Sequence, residues 1–278
     1  MKLSGQTLSG QTLFVNILLV AASVLAAFPL FWMISMSFMP PAEANAFPAR
    51  LIPHHPTFAN YASLFARQNM GLFALNSLLI SSLAAALSLG FNVTAGYAFA
   101  KLRFVGRDKL FQSLLAALVI PGQLIMLPLF FELKMLGLLN SYAGVVVPFI
   151  ASLFGIFLVR QYCLSIPDEM LQAARVDGAN EWQVFRRIVL PNLMPIMVTL
   201  GVFTFLTAWN DFLWPLIVLS DDHKYTLPLA IASLSQEHVQ DAGMVMAGAT
   251  VTIAPVILLF LALQRHYVRG LLSGSVKG

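Results

Sequence analysis

The chain has 278 residues, 59% of them hydrophobic and only 10% charged, with a mean hydropathy of +0.81. Soluble domains carry roughly 25% charged residues, so this composition excludes a water-soluble chain and leaves a membrane protein. The net charge of +4 and a pI near 9.4 raise the question of a nucleic-acid partner, which the placement of the basic residues answers in the negative below.

The N-terminus repeats Leu3-Ser-Gly-Gln-Thr7 as Leu8-Ser-Gly-Gln-Thr12, a copy too short to be a structural repeat. Residues 1–12 read as a cytoplasmic tail. The apolar run that follows is longer than a signal-peptide core of roughly 7–15 residues, so it reads as a first spanning helix. A helix needs about 20 mainly apolar residues to cross a bilayer. Six stretches qualify: 13–37, 71–99, 109–131, 141–163, 193–217 and 243–264. The expected fold class is an all-α membrane protein with one six-helix domain over 13–264 and a C-terminal tail over 265–278. Helix-breaking residues lie inside several spans (Pro29, Gly90, Gly96, Pro121, Gly122, Pro128, Pro148, Pro255), tolerable where neighbours satisfy the freed backbone groups.

Between the first two spans, Pro40, Pro41, Pro48, Pro53 and Pro56 mark a turn-rich outer loop. Phe58, Tyr61, Leu64 and Phe65 then recur at helical spacing after Thr57, a short interfacial helix with a Thr cap. The next loop, 99–109, is short and basic, as attraction to anionic lipid headgroups explains. Asn76, Asn92, Thr94 and Gln123 are polar groups inside spans, expected to make interhelical hydrogen bonds. Cys163, the single cysteine, excludes an intramolecular disulfide and reads as a small apolar residue. The five histidines (His54, His55, His223, His238, His266) lack metal-ligand spacing, so no metal site is expected.

The longest ordered polar interruption is Ser165–Pro191. Ser165 with Asp168 resembles a capping box, and Asp168 and Glu169 suit a helix N-terminus. Gly178 is placed to end that helix in the left-handed conformation. Asn180 with Gln183 starts a second short helix, which Pro191 closes. Two short helices joined at a glycine make a compact knob. Small residues at Ala173, Ala174 and Gly178 would let another protein approach the backbone closely; an ordinary ordered loop is the plainer alternative.

The fifth span ends in Thr207-Ala-Trp-Asn-Asp-Phe-Leu-Trp-Pro-Leu216. A charge at the bilayer centre costs roughly 2.5–3.5 kcal/mol, so Asp211 needs a reason. It is either an interfacial group beside a Trp belt or a polar group on a translocation path or helix interface. Trp209, Asn210, Asp211 and Trp214 together carry the aromatic, amide and carboxylate chemistry that suits a sugar. Six spans put both termini on one side. That side holds twelve of the 16 Lys and Arg residues, and Arg50, Arg67, Lys134 and Lys224 lie on the other. The positive-inside rule therefore makes both termini and the knob cytoplasmic, and the basicity reflects topology, with no nucleic-acid partner.

Several stretches resemble one family. Gln172-Ala-Ala-Arg-Val-Asp-Gly-Ala179 with Ile188-Val-Leu-Pro191 resembles the EAA loop of ABC-importer permeases, except that Gln172 stands where Glu is usual. Glutamine keeps an acceptor oxygen but loses the charge, so one charge-assisted contact becomes an ordinary one. Ala100-Lys-Leu-Arg-Phe-Val-Gly-Arg107, the fifth-span signature, Tyr225-Thr-Leu-Pro-Leu-Ala230 and the tail from Gln264-Arg265 to Val276-Lys-Gly278 are similar to the carbohydrate group, in particular to the smaller permease of maltose-type importers. Pro56-Thr-Phe-Ala-Asn-Tyr61 adds a further match.

The resemblance implies the type I ABC-importer permease fold in a bacterial inner membrane, and a non-catalytic transport subunit. It implies coupling through Gln172, Ala173, Ala174, Asp177, Gly178 and Ala179. It also implies a second, larger permease as heterodimer partner, two ATP-binding subunits that hold ATP and Mg, and a periplasmic or lipid-anchored binding protein. No cofactor is expected on this chain, which has no Gly-x-x-x-x-Gly-Lys-(Ser/Thr) loop in its sequence. An importer of glycerol-phosphate esters or polyols is the near alternative, although no span carries Arg or Lys in its middle. An ion-coupled secondary transporter is more distant, since no acidic residue lies at the middle of a span. A membrane-embedded enzyme would need convergent polar groups, and only Asp211 qualifies.

Overall fold

The computed structural model describes residues 10–237 and 241–275. Residues 1–9, with Lys2, lie outside the described residues, as do 238–240 and 276–278 and the side chains of the tail motif from Gln264 onward. Every regular element among the described residues is helical. Two compact units are present, one spanning Gly71–Ala230 and the other built from residues up to Met70 and from Ile231.

In the second of these units, α1 (Gly10–Ser37) packs along α15 (Ala242–Ser275), with α2 (Pro41–Ala44) and α3 (Ala59–Arg67) against the same helix. α1 is apolar all round, the pattern of a spanning helix. Its end is closed by Asn60, which is buried and donates to the carbonyls of Ser37 and Met39, both at 2.8 Å. Gly243 lies beneath this contact. A Cβ there would come within 2.7 Å of the Met39 carbonyl oxygen. α3 is the expected short helix, but Phe58 and not Thr57 takes its cap position; Thr57 Oγ1 accepts from the Ala59 amide at 3.1 Å in a turn just before it. Its Leu64 is fully buried, whereas Phe58 and Phe65 are exposed.

The Gly71–Ala230 unit follows α4 (Met70–Lys101) with α5 (Arg107–Ala117), α6 (Gly122–Met135), α7 (Tyr142–Ile150), α8 (Leu153–Leu164) and α9 (Asp168–Val176). A short α10 (Glu181–Val184) runs through a π-turn (Phe185–Val189) into α11 (Leu190–Asn192). Then come α12 (Met194–Trp209), α13 (Leu213–Val218), a 3₁₀ turn at Asp222–Lys224, and α14 (Leu227–Glu237), which crosses the unit boundary. Among the described residues, four helical stretches are long and apolar enough to cross a membrane, and six if two bent pairs each count as one span. Those pairs bend by 107° between α5 and α6 and by 75° between α11 and α12.

Three of the six sequence-read spans are therefore interrupted helices. The 109–131 stretch breaks at residues 118–121, because Pro121 has no N–H to continue the ladder. The 141–163 stretch breaks at Ala151 and Ser152. Ser152 caps α8 by accepting from the Gly155 amide at 3.1 Å. The 193–217 stretch ends at Trp209 and restarts at Leu213. Pro29, Pro128 and Pro255, by contrast, sit inside continuous helices.

Two local expectations in the knob are corrected. Ser165 does not cap α9. It is the C-cap residue that follows α8, its hydroxyl donates back to the Tyr162 carbonyl at 2.7 Å, and Pro167 takes the cap position of α9. Pro191 does not close the second helix, which continues to Asn192. The π-turn widens the ladder just before it, with the Leu190 amide donating to the Phe185 carbonyl.

Candidate functional site

The knob is held to the bundle from beneath. Lys101, the last residue of α4, has a side chain only 5% exposed. Its Nζ donates to the Ile166 carbonyl at 2.7 Å and to Asp168 Oδ1 at 2.6 Å. The hydrogen bond and positive charge of Lys101 hold the Asp168 carboxyl below the ordinary carboxylate range. Farther along, Arg175 Nε donates to Glu181 Oε1 at 2.7 Å, and the Tyr97 hydroxyl donates to Glu181 Oε2 at 3.0 Å. Leu171, Val184, Phe185 and Val189 are buried beneath these contacts with Tyr97 and Val159. The basic 99–109 stretch thus holds a structural lysine, Lys101, where the sequence suggested only headgroup attraction. Arg160, in α8, likewise lies 4.0 Å over the Phe111 ring.

Gly178 ends α9 as expected, with φ +86°. Its amide donates to the Arg175 carbonyl and the Ala179 amide to the Ala174 carbonyl, so the last carbonyls of α9 are satisfied. A Cβ at Gly178 would meet nothing within 4 Å. The glycine is therefore required by its backbone angle, and it leaves an open surface. Asn180 and Gln183 form a reciprocal capping box, each side chain accepting from the other's amide at 2.9 Å.

Of the six residues expected at a coupling surface, Gln172, Ala173, Asp177 and Gly178 are exposed. Ala174 and Ala179 are half-buried and pack on the core beneath. The sequence did not single out three exposed apolar neighbours, Met170, Val176 (87% exposed) and Trp182 (63% exposed). Their signal was available, since apolar residues at these positions interrupt an otherwise polar loop.

The second feature is a cavity of about 680 Å³ within the same unit, lined by Gln123, Met126, Val147, Phe149, Thr207 and Asp211 among others. Of the four fifth-span candidates, Asp211 and Trp214 line it. Trp214 is almost fully buried, and its indole N–H donates to the Gly144 carbonyl at 3.1 Å. Trp209 is buried and stacked on Phe205, and the Asn210 amide donates to the Leu206 carbonyl of its own helix. Neither Trp209 nor Asn210 is among the lining residues.

The intramembrane asparagines behave as expected. Asn76 donates to the carbonyls of His223 and Tyr225 and accepts from the Tyr142 hydroxyl. Asn92 accepts from the Ser152 amide at 3.1 Å and donates to the Ser88 hydroxyl at 2.6 Å. Thr94 bonds only to carbonyls of its own helix, and Gln123 faces the cavity.

Residues 8–273 fit the family described as binding-protein-dependent transport system inner membrane component. The chain belongs to this family. It is 38% identical over 259 residues to the arabinooligosaccharides transport system permease protein AraQ of Halalkalibacterium halodurans, covering 91% of this chain and 92% of that one. It is 35% identical to the lactose transport system permease protein LacG of Rhizobium radiobacter, covering 92% and 93%. It is 32% identical to the diacetylchitobiose uptake system permease protein NgcG of Streptomyces coelicolor, covering 94% and 87%. Among solved structures, a chain of a bacterial ABC transporter involved in the import of the acidic polysaccharide alginate superposes with a TM-score of 0.83. At 22% identity it covers 95% of this chain and 99% of that one, and it shares the fold. The chain is thus an all-helical, multi-pass inner-membrane permease component of the ABC-importer type.

Proposed function

We propose that this permease forms half of the translocation pathway of an ATP-driven importer for a neutral di- or oligosaccharide, and that the 165–192 knob is its contact with the ATPase. The observation that carries the coupling half is the open, exposed Gly178–Ala173 surface on a knob stapled to α4 through Lys101 and Tyr97. A partner surface seated there moves a rigid body. The sugar half rests on relatives named for arabinooligosaccharide, lactose and diacetylchitobiose transport. Asp211 is the one charged residue among those lining the cavity, and it disfavours an anionic phosphate ester.

The mechanism is alternating access. A second, larger permease completes the pathway, a periplasmic or lipid-anchored binding protein delivers the sugar, and two ATPase subunits hold ATP and Mg. The positive-inside bias puts the knob and both termini on the cytoplasmic face. ATP drives the bundle only if its binding changes the knob's contacts, since only a differential interaction shifts a conformational equilibrium.

The test is uptake of radiolabelled arabinotriose, lactose and N,N′-diacetylchitobiose by cells carrying Gly178→Asp. Aspartate tolerates the left-handed conformation better than most residues, so the knob folds while a charge now fills the open surface. ATP-dependent uptake is expected to fall to background with the permease still in the membrane, and Gly178→Asn is expected to do less harm. Wild-type uptake by Gly178→Asp sinks the coupling assignment. Uptake of none of the three sugars by the parent sinks the sugar assignment.

A further inference from the structure

Three helix breaks, far apart in sequence, end at one cavity. Gly122 and Gln123 begin α6 just after the 118–121 break. Ala151 lies in the α7–α8 break. Asp211 lies in the α12–α13 break. All four residues line the same space of about 680 Å³. Irregular backbone at membrane depth is stable only where protein buries it or where it borders water. One break could be an accident of a proline. Three with a common focus, only one of them set by a proline at the break itself, mark a built feature.

The lining carries a second sign. Asp211 accepts only from the backbone amides of Leu213 and Trp214, the latter at 3.4 Å, and no cation pairs with it among the described residues. A carboxylate without a counter-ion at membrane depth needs water or a hydrogen-bond donor from elsewhere. The rest of the lining is mostly apolar and includes Phe149, with Gln123 and Thr207 as exposed polar groups. A few placed polar groups in an apolar surround are typical of a small-molecule site, and the volume lies within the usual range of about 300–1,000 Å³.

We propose that this cavity is a solute subsite within this chain, which holds a neutral, hydroxyl-rich solute by hydroxyl donation to Asp211 and turns anionic solutes away. The proposal rests on the importer reading and assigns direct solute contact to this subunit. Asp211 is its specificity-determining residue. The neutral ligand is favoured because its hydroxyls donate to the carboxylate, whereas an anion in the same space is repelled by it.

Substituted-cysteine labelling of the assembled transporter in membrane vesicles tests it. Thr207→Cys places a thiol on the exposed part of the lining, and the native Cys163 is fully buried and stays silent. The probes are the cationic trimethylammonium-ethyl and the anionic sulfonatoethyl methanethiosulfonates, their rates normalised to a free thiol in buffer. The cationic reagent is expected to react about tenfold faster. Adding Asp211→Asn is expected to remove that preference. Labelling is also expected to stop sugar uptake, and dithiothreitol to restore it. If neither reagent reacts, a lipid chain or a partner helix fills the space and the subsite is overturned. Reaction without charge preference, or without loss of uptake, overturns it as well. The two readings fail separately. Parent vesicles whose uptake ignores ATP defeat the importer reading, whereas ATP-dependent uptake untouched by labelling defeats only the subsite.

Discussion

The knob and the broken-helix cavity both hold irregular backbone in place, but with different chemistry. The knob uses charges: Lys101 on Asp168, and Arg175 on Glu181. The α7–α8 break and its surroundings use neutral groups, Asn92 on the Ser152 amide, the Ser152 hydroxyl on the Gly155 amide and the Trp214 indole on the Gly144 carbonyl, whereas the α12–α13 break has the Asp211 carboxylate on the Trp214 amide. The difference follows from the surroundings. Asp168 is 68% exposed, so its charge keeps most of its hydration. Asn92 is fully buried, where an ion would pay a large desolvation cost that an amide avoids. The water-facing knob is latched by ion pairs, and the α7–α8 break by a fully buried neutral amide and a hydroxyl.

The sharpest way to break that contrast is Asn92→Leu. It leaves the Ser152 amide without its partner and presses a branched side chain on Gly155, where there is no room: a Cβ added at Gly155 would already lie 2.8 Å from the Asn92 amide nitrogen. A loss of about 2–4 kcal/mol is expected, read as a fall of several degrees in thermal unfolding in detergent. Lys101→Met should cost less, about 1 kcal/mol, because its partner is largely hydrated. Hydrogen exchange is expected to rise in 165–180 and to stay unchanged in α7 and α8. Equal effects of the two variants on global unfolding would show that the knob is part of the core and not a latched body.

The smallest effect concerns pH. Asp168 is held below its ordinary range, so its contribution is complete above the ordinary aspartate value of about 3.9 and is lost only as pH falls through its lowered value. Limited proteolysis of the knob should therefore show no Asp168-dependent change between about pH 5 and 8, and Asp168→Asn should abolish the protection that disappears in acid. Release of the knob near pH 6 would mean that another group holds it.

These contrasts also mark where the sequence was readable. Gly178 and the Asn180–Gln183 box were legible because their geometry depends on neighbours three or four residues away. The Ser165 cap failed although it was equally local, because Pro167, with its fixed φ, takes the cap position and leaves Ser165 as the C-cap of α8. The anchors Lys101 and Tyr97 were invisible as anchors, since their partners lie 67 and 84 residues away. Proline gave a poor guide to the breaks. Pro121 marks one, but Pro29, Pro128 and Pro255 ride inside continuous helices, and the Ala151 break depends on Asn92 from another helix. The same limit applied to the fifth-span motif. Its residue types were right for a polar path, but the backbone break alone decides that Asp211 turns into the cavity while Trp209 packs away from it.

The 75° bend at Leu193 makes the knob and the cavity the two ends of one bell-crank. The input arm, Glu181–Asn192, is about 18 Å long, and the output arm, Met194–Trp209, about 24 Å, at 1.5 Å per residue. Leu193, at the bend, is fully buried. Each rotation of about 10° carries the free end of the input arm through roughly 3 Å and the Asp211 end of the output arm through roughly 4 Å, in a direction turned through the bend. On the coupling role proposed above, a small sideways push at the water-facing end would become a slightly larger displacement at the carboxylate, since both arms belong to one compact unit.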